Sequence, residues 1–186
     1  MCRLLTILGS SLLLLFLSSF PANATQIIYK SPRKMGQESS LVVEGKVASV
    51  RSFWNGKRTK ILTETAIAID ETFKGSAQRS VRILQLGGTI DNMKVTVQGA
   101  PDWKPGEEVL LFLEPYDSEY FRVSAFSQGK FSIERDSNTG EPFVYRPALQ
   151  GTEVLHAPSG EKPTKGAGAA RVPLQQFIAD ALDNNR

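Results

Sequence analysis

The chain has 186 residues, with 22 Lys and Arg against 19 Asp and Glu, one cysteine and one histidine. A single histidine, His156, excludes zinc sites built from several histidines and leaves a Ser-His-Asp triad only one candidate base. So balanced a charge gives no bulk attraction for nucleic acid, and none is expected as a partner.

Residues 1–24 have the pattern of a signal peptide. Arg3 precedes an apolar run from Leu4 to Leu17, and Ala22-Asn23-Ala24 fits the small-x-small cleavage rule. The run is shorter than the roughly 20 residues that span a bilayer, so no membrane span is expected after cleavage. Cleavage after Ala24 would leave 162 residues from Thr25 to Arg186, enough for one domain, and would remove Cys2 and one of the 22 basic residues. The mature chain would then have neither disulfide nor thiolate chemistry, and a cysteine-free exported chain points to bacteria, secreted or periplasmic. The cut also divides the Asn23-Ala24-Thr25 glycosylation sequon.

Residues 25–40 are polar and basic and are expected to form a lead-in with one short strand near Gln26 to Tyr29. The main domain is expected over 41–146. Leu41, Val43 and Val47 alternate with Val42, Glu44 and Lys46, the period-two pattern of a half-buried strand. Gly45 in the inward set suits a bend or a close backbone approach. A shift of apolar phase to Val50 predicts a bulge near Ala48-Ser49. Asn55-Gly56 signals a hairpin. The return strand, Ile61 to Phe73, would put Ile61, Thr63, Thr65, Ile67, Ile69 and Phe73 on one face.

Strands are also predicted at Val81–Leu86, ended by Gly87-Gly88, and at Met93–Gln98. Val109 to Leu113 is the most apolar run outside the leader. Bounded by Gly106 and Pro115, it is too short for a helix and is expected to be a strand covered on both sides. Tyr120–Phe126 and Lys130–Arg135 suggest a hairpin around Gln128-Gly129, and Phe143 to Tyr145 one more strand. Residues 147–171 are rich in Pro, Gly and Ala and read as linker-like. Within 172–186, Leu174, Phe177, Ile178 and Leu182 recur at helical spacing behind Pro173, predicting a short amphipathic helix docked on the sheet. The fold class is therefore all-β, an antiparallel barrel of about seven strands with a short C-terminal helix.

Candidate chemistry is sparse. His156 lies among prolines and glycines, without the rigid setting a catalytic base needs. Glu107 and Glu108 are adjacent in a strand, where successive side chains point to opposite faces, so they cannot share a substrate as a glycosidase pair does. Glu64, Asp70, Glu71 and Asp91 have no spacing that singles out a site. Asp136, Asn138 and Glu141 lack the calcium-loop pattern, and Gly87-Gly88 lacks the Walker sequence. No catalytic residue, metal or cofactor is expected. The one composition that suggests a ligand is the segment holding Phe53, Trp54, Lys57, Arg58 and Lys60, aromatic groups beside cations, as on surfaces that bind polyanions.

The set Leu41-Val42-Val43-Glu44-Gly45-Lys46-Val47, Ser52-Phe53-Trp54, Ile69 to Gly75, Gln85 to Gly88, Gly99-Ala100-Pro101, Pro105 to Leu113 and Gln128-Gly129-Lys130-Phe131 resembles a family of uncharacterised exported bacterial β-barrel proteins. More remotely, its order is similar to the netrin-like module of metalloproteinase inhibitors, an OB-type barrel. There too a Gly-Lys-Val strand precedes a long strand ending at Lys-Gly and a Gly-Glu turn into an apolar strand. The resemblance implies the barrel. The inhibitors' zinc-chelating amino-terminal cysteine and their disulfides have no counterpart in a mature chain without cysteine.

A non-enzymatic binding module for an exported protein or an anionic surface glycan follows as the expected function. An inhibitor or accessory protein of an exported protease is the alternative, and a carboxylate-dependent hydrolase the second.

Overall fold

The computed structural model describes residues 25–146, 152–155 and 171–183; the expected leader, His156 and most of the 147–171 segment lie outside the described residues. The chain runs β1 (Thr25–Ile28), α1 (Pro32–Glu38), β2 (Leu41–Trp54), β3 (Ile61–Lys74), β4 (Ser80–Leu86), β5 (Gly88–Ile90), β6 (Met93–Val95) and β7 (Glu108–Pro115). Then follow β8 (Phe121–Val123), a 3-10 turn (Phe126–Gly129), β9 (Lys130–Arg135), β10 (Pro142–Tyr145), β11 (Thr152–Leu155), β12 (Val172–Pro173) and α2 (Leu174–Leu182). No helix among the described residues is long and apolar enough to cross a membrane.

The main sheet has the order β12-β10-β9-β7-β2-β3-β4-β8, and β8 pairs with β7 as well, so β2, β3, β4, β8 and β7 close into a barrel. Five strands close it, where about seven were expected, and the closure is not wholly antiparallel. Around a ring with an odd number of strands, alternation of direction must fail once. It fails at β4 and β8, which pair in parallel at Ile83 and Phe121.

The apolar run of β7 is buried on both faces, as its composition demands. Val109, Leu111 and Leu113 point into the barrel with Leu41, Val43, Val47, Ile67, Val81 and Ile83. Leu110 and Phe112 point outward, into a second core with Val42, Phe131, Ile133, Val144, Met35, Leu174 and Ile178. The second core explains both helices. Helix α2 buries Leu174, Ile178 and Ala181, as its spacing predicts. Helix α1 stands where a polar lead-in was expected: Ser31 caps it, Pro32 opens it, and Met35 is wholly buried. A Cβ on Gly36 would collide with the Ala181 carbonyl, so the two helices meet backbone to backbone.

Strand β2 carries the expected irregularity between Val47 and Ser49, and two further register shifts near Val42 and Gly45. Ile61, Thr63, Thr65 and Ile67 of β3 share the buried face and Ile69 packs on the barrel core, but Phe73 packs against the outer core instead. The extra shifts near Gly45 rotate that end of the ladder. The hairpin expected around Gln128-Gly129 is absent. Strands β8 and β9 both run antiparallel to β7, at Leu113–Val123 and Leu111–Lys130, and are one strand interrupted by an excursion. The Ser124 amide continues the ladder to the Phe112 carbonyl, and the Gly129 amide returns the chain to the Ser124 carbonyl. Of the strand expected at Met93–Gln98, only Met93 to Val95 pairs.

Candidate functional site

The β2–β3 connection occupies residues 55–60, and Asn55 organises it. The Asn55 Oδ1 accepts the Thr59 amide at 2.8 Å and the Lys60 amide at 3.0 Å, while its Nδ2 donates to the Thr59 hydroxyl at 3.1 Å. Its carbonyl accepts the Arg58 amide at 2.8 Å. Gly56 is not the residue that turns the chain; Arg58 is, at φ 52° in the left-handed region. The side chains of Lys57, Arg58 and Lys60 are exposed on this braced loop, and none has an ion-pair partner among the described residues.

Phe53 and Trp54, adjacent in a strand, face opposite ways. Trp54 pairs with the buried Ile61 and shares its face. Phe53 pairs with Leu62, and Leu62 with Leu86, so the three form one row across the outer face of β2, β3 and β4. The loop therefore does not assemble its two aromatics into one stacking platform. It places Phe53 beside the cations on the outer face, with Trp54 behind.

Register brings further groups to that face. Arg51 lies over the Phe53 ring at 5.3 Å and reaches Glu64 Oε1 at 3.2 Å. The Tyr120 hydroxyl, from the loop before β8, donates to Glu64 Oε2 at 2.8 Å. Arg82 covers the Tyr120 ring at 4.9 Å. The Tyr120 hydroxyl holds the Glu64 carboxyl below the usual carboxylate range, and Arg51 and Arg82 add to it against the opposing effect of burial. The Phe53–Arg51 neighbourhood was readable from strand alternation; Tyr120, 56 residues from Glu64, was not.

The same end of the barrel carries exposed apolar groups. Leu86, Met93 and Val95 are among the most exposed large hydrophobic residues described. The Gly87 amide bonds the Ile61 carbonyl and the Thr89 amide bonds Ser52 Oγ, which fix the β5–β6 hairpin beside the loop.

Several other carboxylates are engaged. Glu107 binds Lys130 and Ser132, whereas Glu108 binds Arg135, so adjacent carboxylates are held by different partners. Asp136 caps its own turn, and the Asn138 and Thr139 amides keep it below its ordinary range. Among the described residues no three His, Cys, Asp or Glu side chains gather as metal ligands.

No protein-family model matches the chain, and no curated protein is significantly similar to it.

Proposed function

We propose that the protein is an exported, non-enzymatic binding module, and that its contact surface is the Phe53–Lys60 loop with the outer face of β2–β4. The observation that carries this reading is the arrangement of Lys57, Arg58 and Lys60. They are three cations within four residues, without ion-pair partners among the described residues, on a loop braced by Asn55. Neighbouring Arg51 and Arg82 are neutralised by Glu64 and Glu119, so the loop is where the field is left open. The left-handed Arg58 points the same way, because a strained non-glycine turn residue belongs with sites where conformation serves a task. Exposed Leu86, Met93 and Val95 beside it add the apolar area typical of interaction surfaces.

The barrel is of the OB type in this reading, which the netrin-like sequence order also suggests. What supports it is a five-strand closure in the order first, second, third, fifth, fourth, with the third and fifth parallel. Barrels of that type bind through the second and third strands and the loops after the first and fourth. Those elements here are β3, β4, the 55–60 loop and the loop carrying Tyr120. The ligand is an anionic surface glycan or an acidic face of an exported protein. Replacing Lys57, Arg58 and Lys60 together by Gln is expected to lower the salt needed to elute the protein from a heparin column, with its melting temperature unchanged. Unaltered retention would remove this surface from consideration.

A further inference from the structure

Arg146 follows β10 and turns inward until only 9% of it is exposed. Its guanidinium carbon lies 4.7 Å from the centre of the Phe131 ring and 5.9 Å from that of Tyr29. Phe131 is itself held in the outer core, 4.7 Å from the Phe177 ring. Two of its nitrogens, Nε and Nη2, are buried and have no hydrogen-bond partner among the described residues. These two are not an arbitrary pair. Their N–H bonds lie along one edge of the planar group, the edge that grips both oxygens of a carboxylate or phosphate in parallel.

Arginine does not escape by losing its proton, although burial pulls its pKa down and only Tyr29 opposes that. A buried cation held by Tyr29 and with no carboxylate partner among the described residues is a standing cost to the fold, and an apolar side chain would fit the aromatic surroundings without it. The neighbourhood is also braced. The wholly buried Gln128 accepts the Lys30 amide at 2.9 Å and donates to the Ile28 carbonyl at 2.8 Å. It thereby clamps the backbone on both sides of Tyr29.

We propose that the Nε–Nη2 edge of Arg146 is a binding site for an oxyanion, a carboxylate or phosphate group on a small ligand, held side-on between Tyr29 and Phe131. The site is separate from the basic loop: β10 is divided from β2 in the sheet by β9 and β7.

The test is a titration of arginine-labelled protein followed through its side-chain Nε–H resonances. Inorganic phosphate and acetate are added in separate arms, with sodium chloride at matched ionic strength as control. Arg146→Lys keeps the charge but lacks the fork, and it identifies the Arg146 signal by its loss. One of the two anions is expected to shift that signal saturably and to raise the melting temperature. The affinity, read by equilibrium dialysis, should fall about tenfold or more in Arg146→Lys. Dialysis on the unmodified protein serves alone if the variant does not fold. A response no different from chloride would overturn the proposal. So would an Nε–H signal already shifted into the hydrogen-bonded range without added anion and indifferent to both probes, because a carboxylate of the chain itself would then fill the fork.

Discussion

Lys130 Nζ lies 2.8 Å from each carboxylate oxygen of Glu107. The same Nζ donates to the Asp102 carbonyl at 2.7 Å and lies 5.1 Å from the centre of the Trp103 ring. Trp103 in turn donates to Gln85 Oε1 at 2.8 Å. The ion pair thus fastens the loop before β7 over one end of the barrel. Lys130 is only 7% exposed at its side chain, so removing it leaves a largely buried carboxylate with Ser132 as its remaining partner. Lys130→Met is expected to cost about 3 kcal/mol in denaturant unfolding and to shift the Trp103 fluorescence. Combining it with Glu107→Gln should cost less than the sum of the single changes, by about 0.5–3 kcal/mol. Additive losses would show that the pair does not act as a unit.

Because Phe53 and Trp54 face opposite sides of β2, their substitutions should separate. Phe53→Ala removes the half-buried end of the Phe53–Leu62–Leu86 row and is expected to weaken heparin retention with little loss of stability. Trp54→Ala opens the face shared with buried Ile61, and its main effect should be a lower melting temperature. Arg58→Gly relieves a left-handed residue that costs about 1 kcal/mol, so it should raise stability while lowering retention. A variant that loses both would place the role of Arg58 in folding rather than contact.

Two carboxylates give opposite pH signatures. Glu64, held below its ordinary value of 4.5 first by the Tyr120 hydroxyl, contributes stability above that value and loses it as pH falls through the folded pKa. Glu44 is held above 4.5, first by burial, with Arg135 opposing and Glu71, Asp70 and Glu108 reinforcing. Its ionised form is disfavoured in the fold, so stability falls as pH rises from 4.5 through its folded pKa. Tyr120→Phe should cost at most about 1 kcal/mol at neutral pH, given the screening at this surface, and the difference should shrink below pH 4.5. Glu44→Gln should raise the melting temperature at neutral pH, with the gain vanishing in acid. Melting curves across pH 3–8 check both, and a Glu44→Gln gain that grows on acidification would contradict the sign.

What could be read from the sequence divides by range. The two-sided apolar run of β7, the amphipathic α2 and the shift after Val47 are local patterns, and each imposes its structure wherever the chain places it. The closure of the barrel is not local: nothing near Phe121 announces that it pairs with Ile83. Helix α1 was hidden for a similar reason. Its seven residues include a proline and a glycine, and only the distant Ala181 and the outer core make burial of Met35 and Gly36 worthwhile. The basic loop was legible as composition, but the division of Phe53 from Trp54 depends on register with β3.

Gln128 shows the same limit. The sequence places it at a hairpin turn beside Gly129, yet it is wholly buried and bonded to the chain on both sides of Tyr29. The chain reaches it through two left-handed residues, Ala125 and Phe126, at φ 51° and 59°. Gln128→Ala strands the Lys30 amide and the Ile28 carbonyl and is expected to cost about 1–3 kcal/mol. Gln128→Glu keeps the acceptor, loses the donor and places a carboxylate in the interior, so it should cost more at neutral pH and recover on acidification. Hydrogen exchange at the Lys30 amide gives the direct readout. It should accelerate in Gln128→Ala by more than global destabilisation accounts for, and exchange unchanged relative to the rest of the sheet would mean that the amide is held by something other than Gln128.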